Sequence, residues 1–277
     1  MSNLASPVIP VTKRTIIPFC YPGGKYYALS LLKRFWLSCP HDEYREPFVG
    51  GGSVFFAKPK SNYNWINDLE PELVNTYQVM ADDGLRVKLI ERFSGEVATR
   101  ERWAEIQAYQ PENKLDRAFK YYYMNRMSFN GRMRSPTWGF HDSGNNHLPP
   151  NRWFEKLDPC GRKLEDVRIT CLDFEAVVSS PSRGNHVLLY LDPPYYLPSK
   201  HTHYIVGFEE SDHLRLAASL RKTQHSFFLS YEDNPVIRKL YDWAEIYPIE
   251  FFYRASTTPK KRMGKEIVIS NFKISTS

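Results

Sequence analysis

An acid, two prolines and a tyrosine, Asp192-Pro193-Pro194-Tyr195, follow directly on the apolar run Val187-Leu188-Leu189-Tyr190-Leu191. Each proline removes a backbone donor and fixes its own φ, so an apolar strand must stop there with carbonyls facing outward. A carboxylate, a free carbonyl and an aromatic face then lie within a few positions of one another. Two acceptors can take the two N–H bonds of an amine while the ring stacks, which suits a flat, amine-bearing heterocycle such as adenine. The same residues also make an ordinary turn, since Asp and Pro favour turns. The rest of the chain has to decide between the two.

The element that must hold these groups is a buried parallel strand, and open α/β sheets bind ligands at the carboxyl ends of such strands. Phe19-Cys20-Tyr21-Pro22-Gly23-Gly24-Lys25 precedes an apolar helical pattern through Leu29, Leu32, Phe35 and Trp36. Its glycines let backbone approach a ligand and Lys25 can meet a carboxylate, although a solvated loop with an ordinary lysine reads the same way. Glu46-Pro47-Phe48-Val49-Gly50-Gly51-Gly52-Ser53 runs into Val54-Phe55-Phe56, so a strand end passes through a glycine turn into a helix. Such a turn brings backbone amides against a ligand. Neither the full GxGxxG fingerprint nor a GxxxxGK[ST] phosphate loop is present, which argues against nicotinamide and ATP. Tyr63-Asn64-Trp65-Ile66-Asn67-Asp68 is a short strand ending in an acid. In nucleoside-binding α/β folds an acid there takes the ribose hydroxyls; helix capping is the other role open to Asp68.

The order Tyr-Pro-Gly-Gly-Lys, Glu-Pro-Phe-x-Gly-x-Gly, Asn-Asp and Asp-Pro-Pro-Tyr resembles the Dam-like, D12-class (alpha group) N6-adenine DNA methyltransferases, from about residue 19 to residue 272. One departure is Tyr21, where the best-known members carry Trp; the aromatic is retained. The resemblance implies an α/β fold, a Rossmann-like S-adenosylmethionine-dependent methyltransferase sheet with an inserted, mostly helical DNA-recognition domain carrying a β-hairpin. It divides the chain into an N-terminal arm (1–18), a catalytic domain (19–71 and 161–277) and a target-recognition insertion (72–160). Tyr21, Lys25, Phe48, Gly50, Gly52 and Asp68 would surround S-adenosylmethionine, with Asp68 on the ribose, Lys25 near the methionine end and Asp192 beside the cofactor. Val167-Arg168-Ile169-Thr170-Cys171-Leu172-Asp173-Phe174 is a strand whose Asp173 and Phe174 look like the family's adenine-edge contact; Asp173 can also simply cap a helix.

Helical patterns at 73–80, 85–93, 100–109 and 115–125 make up the insertion, followed by a polar, Gly- and Pro-rich stretch. Asn125-Arg126-Met127-Ser128-Phe129-Asn130-Gly131-Arg132 resembles the family's DNA-contacting hairpin. Arg126, Arg132 and Arg134 are then set for phosphates or guanine edges, with Asn130 at the tip and Phe129 as a wedge into the base stack. A surface hairpin with solvated arginines is the alternative. Further strands are expected at 226–230, 243–253 and 267–272, with a helix at 212–220 and a mobile basic loop at 254–265 containing Lys260, Lys261, Arg262 and Lys265.

Composition agrees with a polyanionic partner. Lys plus Arg is 37 against 31 acidic residues, a net charge of +6, and the sequence pI is about 9.0, so the average surface attracts polyanions. Tyr and Phe interleave with Arg over 119–134, a mix that stacks bases and neutralises phosphates. Cys20, Cys39, Cys160 and Cys171 show no CxxC pairing, which points to a reduced, cytoplasmic protein without structural zinc. His201 and His203 have no third ligand in view, so no metal is expected. There is no 18-residue apolar run and no signal peptide, so neither membrane nor export is indicated.

The chemistry implied is methyl transfer to the exocyclic amine of adenine in double-stranded DNA. Asp192 and the Pro193 carbonyl would hold the two amine hydrogens, Pro194 would shape the turn, and Tyr195 would stack on a flipped-out base. An RNA or protein-amide methyltransferase and a catalytically silent DNA-binding protein are the rival readings. A cognate restriction endonuclease and the oligomeric state are left open.

Overall fold

The structure, a computed structural model, describes residues 15–21, 23–139, 148–196, 207–253 and 262–274. A turn of 3-10 helix, Lys25–Ala28, leads into α1 (Leu29–Ser38), and β1 (Glu43–Glu46) follows. Next come α2 (Ser53–Ala57), β2 (Tyr63–Asn67), α3 (Pro71–Ala81), α4 (Asp83–Ser94), α5 (Arg100–Ala108), α6 (Lys114–Met127) and α7 (Phe154–Leu164). The chain then returns to the sheet through β3 (Arg168–Thr170), α8 (Phe174–Val178), β4 (Val187–Leu191), α9 (Glu210–Lys222), β5 (Ser226–Glu232), α10 (Pro235–Leu240), β6 (Glu245–Tyr253) and β7 (Arg262–Ser270).

The seven strands lie in the order β3-β2-β1-β4-β5-β7-β6. All neighbouring pairs are parallel except those made by β7, which runs antiparallel between β5 and β6. Strand order reverses between β1 and β4, and a crevice opens at such a switch point. β4 is buried along its whole length, with Leu188 and Tyr190 in one core and Val187, Leu189 and Leu191 in the other. This period of two is what a strand covered by helices on both faces requires.

β1 is buried yet reads Glu-Tyr-Arg-Glu. Its polar side chains are hydrogen-bonded internally: the Arg45 guanidinium donates to Glu43 and to the carbonyls of Val177, Ser180 and Pro181, while Tyr44 donates to Glu46 at 2.5 Å. Buried polar groups survive on those terms only.

The insertion is a helical layer on one face of the sheet. Asp82, Thr99 and Asn113 each accept a first-turn amide and start α4, α5 and α6. Phe93, Tyr122 and Tyr123 pack edge-on around the fully enclosed Trp153. Phe19 meets Tyr77, Tyr121 and Tyr122, so the segment before the first glycine turn is fixed by helices of the insertion. The helix α7 runs through the expected boundary at residue 160. Its Leu157, Cys160 and Leu164 share one core and tie both sides of that boundary together.

Two expectations change. Arg262 and Lys265 belong to β7, opposite Tyr253 and Glu250 of β6, so this part of the expected basic loop is strand. Its charges hid an alternation completed by the buried Ile267 and Ile269. In place of a two-stranded hairpin, the chain after α6 makes a 3-10 turn, Phe129–Gly131, closed by one antiparallel bridge between Ser128 and Trp138. Residues 1–14, 140–147, 197–206 (with His201 and His203) and 254–261 (with Lys260 and Lys261) lie outside the described residues.

Candidate active site

β1 ends at Glu46, and the chain turns through Gly50, Gly51 and Gly52 before α2. Gly50 and Gly52 have φ of +46° and +71°, and a Cβ on Gly51 would come within 2.8 Å of the Tyr21 side chain. Only glycine meets both demands without strain. The acid ending β2 holds this turn in place. Asp68 Oδ2 accepts the Gly50 amide at 2.9 Å and Oδ1 accepts the Glu70 amide at 3.1 Å, while Tyr77 donates to the Gly50 carbonyl at 2.8 Å. The cap of α3 is Glu70, so Asp68 is free of that duty.

These groups line a cavity of about 1020 Å³, its open mouth included, at the carboxyl ends of β1, β2 and β4. Phe48 forms an apolar wall, stacked on Phe174 at 5.5 Å and edge-on to Phe208 at 5.6 Å. Asp173 also lines it, but the first-turn amide of Glu175 and the Arg215 guanidinium both bond to its Oδ1, so it caps α8 as well. From the opposite side, Lys25 lies at the start of the 3-10 turn and is 4% exposed. Its Nζ is 2.7 Å from Asp192 Oδ1, 3.1 Å from the Gly23 carbonyl and 4.8 Å from the centre of the Tyr195 ring. A carboxylate that Lys25 meets is thus one of the protein's own, Asp192 at the end of β4, and Lys25 still lines the cavity.

Among the described residues lining the cavity Lys25 is the one cation, against the acids Glu46, Asp68, Glu70, Asp173, Asp192 and Asp212. Burial pushes Glu46 up to about 8, with the nearby Asp192 charge adding to it. Burial likewise pushes Glu70 up to about 8, helped by Asp68. Asp68 is also raised by burial, against the pull of the Gly50 and Glu70 amides. Such an acid-rich, desolvated cavity favours a ligand carrying positive charge. Among the described residues no group of three or more His, Cys, Asp or Glu could hold a metal ion. Nor is any described helix long and apolar enough to cross a membrane.

Sequence reasoning overlooked Glu46, Glu70 and Ser230. Glu46 was legible as the last residue of a strand beside a glycine turn. Ser230 carries no local signal, because its partners come from the neighbouring strand: its hydroxyl donates to Asp192 Oδ1 at 3.0 Å.

The arginines of the insertion divide. Arg126 is 2% exposed, and its Nη1 lies 3.0 Å from Cys20 Sγ. It stands one helical turn after the buried Tyr122 and faces inward, so the expectation that it reaches DNA is corrected. Phe129 is 43% exposed, with the Arg132 guanidinium 5.8 Å from its ring. Arg134 and Asn130 are exposed too, and Asn130 takes a left-handed φ of 54° that suits asparagine. Asn125, fully buried, accepts the Cys20 amide at 3.0 Å and donates to the carbonyls of Cys20 and Gly131 at 2.7 and 3.2 Å. One side chain therefore joins the segment before the first glycine turn to the Phe129 turn.

Comparison with known proteins shows the family. Residues 21–254 match the family described as D12 class N6 adenine-specific DNA methyltransferase. The chain is 26% identical to the type II methyltransferase M1.LlaDCHI of Lactococcus lactis subsp. cremoris, over 94% of this chain and 97% of the relative. It is 27% identical to the type II methyltransferase M.CviBI of Paramecium bursaria Chlorella virus NC1A, over 80% and 85%. It is 26% identical to the DNA adenine methylase of Vibrio cholerae, over 82% and 84%. The sheet is the Rossmann-like one expected of S-adenosylmethionine-dependent methyltransferases, and the chain belongs to the D12 class of N6 adenine-specific DNA methyltransferases.

Proposed function

We propose that the cavity holds S-adenosylmethionine and that Asp192-Pro193-Pro194-Tyr195 receives an adenine turned out of duplex DNA. The observation that carries this reading is that Asp192, at the end of β4, opens into the same cavity as Asp68 and the glycine turn. Cofactor and target amine then meet where the sheet reverses.

The residues present fit the cofactor. Phe48 and Phe174 offer an apolar slot for its ring, and Asp68 lies across the glycine turn for the ribose hydroxyls. Tyr21, Gly50 and Gly52 close the near wall. Among the described residues no cation hydrogen-bonds to the buried acids Glu46 and Glu70, and a positively charged ligand complements them. When bound, S-adenosylmethionine supplies an electrophilic methyl group on a positively charged sulfur.

The chain's own residues prepare the amine. Its lone pair is delocalised into the ring, so it attacks poorly until both hydrogens are held out of plane. The Asp192 carboxylate and the Pro193 carbonyl, which lacks a ladder partner, are the two acceptors, and the gain is one of positioning and electrostatics. Pro194 keeps the turn rigid. Tyr195 supplies the stacking face, with Lys25 steadying the ring from one side. A target inside the stack is out of reach and must be extruded; Phe129 fills the gap it leaves. Asn130, Arg132 and Arg134 approach the groove and backbone around it. The insertion is thus the target-recognition part.

The test is transfer of radiolabelled methyl groups to DNA, RNA and protein in parallel. Label in DNA, recovered as N6-methyladenine, is the expected result. Label in RNA or protein, or DNA binding with no transfer, overturns the reading.

A further inference from the structure

Ser230 is 0% exposed in a strand whose neighbours Phe227, Phe228, Leu229 and Tyr231 are equally enclosed. A hydroxyl there is costly unless its bonds are made. It donates to Asp192 Oδ1 at 3.0 Å, a better acceptor than the Leu191 carbonyl at 3.5 Å. With its hydrogen committed, Ser230 accepts from the Tyr190 hydroxyl at 3.1 Å. Tyr190 and Asp192 project from one face of β4, and Leu191 pairs with Leu229, so Ser230 stands beside Asp192 on that face. A chain of hydroxyls thus runs from Tyr190 through Ser230 to the carboxylate.

Lys25 also bonds to Oδ1, at 2.7 Å. Among the described residues, both contacts to this carboxylate fall on the same oxygen. A carboxylate pinned through one oxygen from two directions has its torsion fixed, and the other oxygen is left for an incoming donor. We infer that Ser230 and Tyr190 are positioning residues that, with Lys25, turn Asp192 so that Oδ2 is the oxygen presented to the target amine. This deepens the proposed function and rests on its reading of Asp192.

Single-turnover methylation at saturating cofactor and DNA tests it. Removing the hydroxyl in Ser230→Ala leaves Lys25 as the sole holder of Asp192, and a misaligned acceptor costs about 10- to 100-fold in rate. Dissociation constants for cofactor and DNA should stay at wild-type values. Tyr190→Phe, whose ring keeps its stacking on Phe228 at 4.7 Å, should be slower than wild type by a smaller factor. The double variant should be no slower than Ser230→Ala, because Tyr190 acts only through Ser230. A structural role would multiply the two losses or spread them into the binding constants, and either outcome overturns the inference. So does a wild-type rate in Ser230→Ala or, should that variant not fold, in Tyr190→Phe. A wild-type protein that transfers no methyl group to DNA overturns the proposed function and this inference together, whereas an active wild type beside an equally fast Ser230→Ala overturns the inference alone.

Discussion

Burial decides the charge of the cavity before any ligand arrives. Glu46 and Glu70 are 1% and 4% exposed and are pushed up to about 8, so at pH 7 both hold protons. A cation entering the cavity favours their ionised forms and lowers their proton affinity. Binding S-adenosylmethionine should therefore release protons at pH 7, and its affinity should climb as pH rises to about 8 and level off above. S-adenosylhomocysteine, which lacks the sulfonium charge, should release fewer. Calorimetry of both ligands in two buffers of different ionisation enthalpy reads this directly. Equal proton release for the two ligands, or none, would show that Glu46 and Glu70 do not sense the cofactor's charge.

The turn that follows α6 is where the segments proposed to read DNA and to hold the cofactor come closest. Gly131 has a φ of +67°, and a Cβ there would fall 2.1 Å from the Cys20 carbonyl, so the Phe129 turn lies directly on the segment leading to Tyr21. On the proposed reading the side chains around that turn have different tasks. An arginine on a guanine edge discriminates by about 1–3 kcal/mol, whereas one on a phosphate weakens all sequences alike. A wedge belongs to neither class. Arg132→Ala or Arg134→Ala should relax sequence preference, while Phe129→Ala should keep preference and slow turnover on duplexes more than on mismatched targets, where extrusion costs less. Methylation of single-base-substituted duplexes and their mismatched counterparts separates the two effects. Equal losses for Phe129→Ala on every substrate, with preference unchanged in both arginine variants, would mean that DNA is read elsewhere.

At the scale of the whole molecule, what the sequence disclosed was what the backbone dictates locally. The glycine turn and the proline stop after β4 are enforced by φ restrictions or missing donors, and the acid ending β2 closes a short strand between them, so their places at the sheet edge could be read in order along the chain. What it concealed depends on contacts across elements. The helical spacing from Tyr122 assigns Arg126 to the buried face, a phase that the charge of the neighbouring arginines masks. The basic residues of β7 masked a strand whose alternation becomes plain only against β5. Ser230 carries no signal at all until β4 and β5 lie side by side. The cavity where these elements meet stands or falls on Asp192, which ends a central strand with a 20% exposed side chain and is no part of the core. The most direct measurement is single-turnover methylation of duplex DNA by wild type and Asp192→Ala, with cofactor and DNA affinities taken on the same preparations. Methyl transfer should be lost in the variant while the cooperative melt and DNA binding stay near wild type. Near-normal turnover by Asp192→Ala would contradict it.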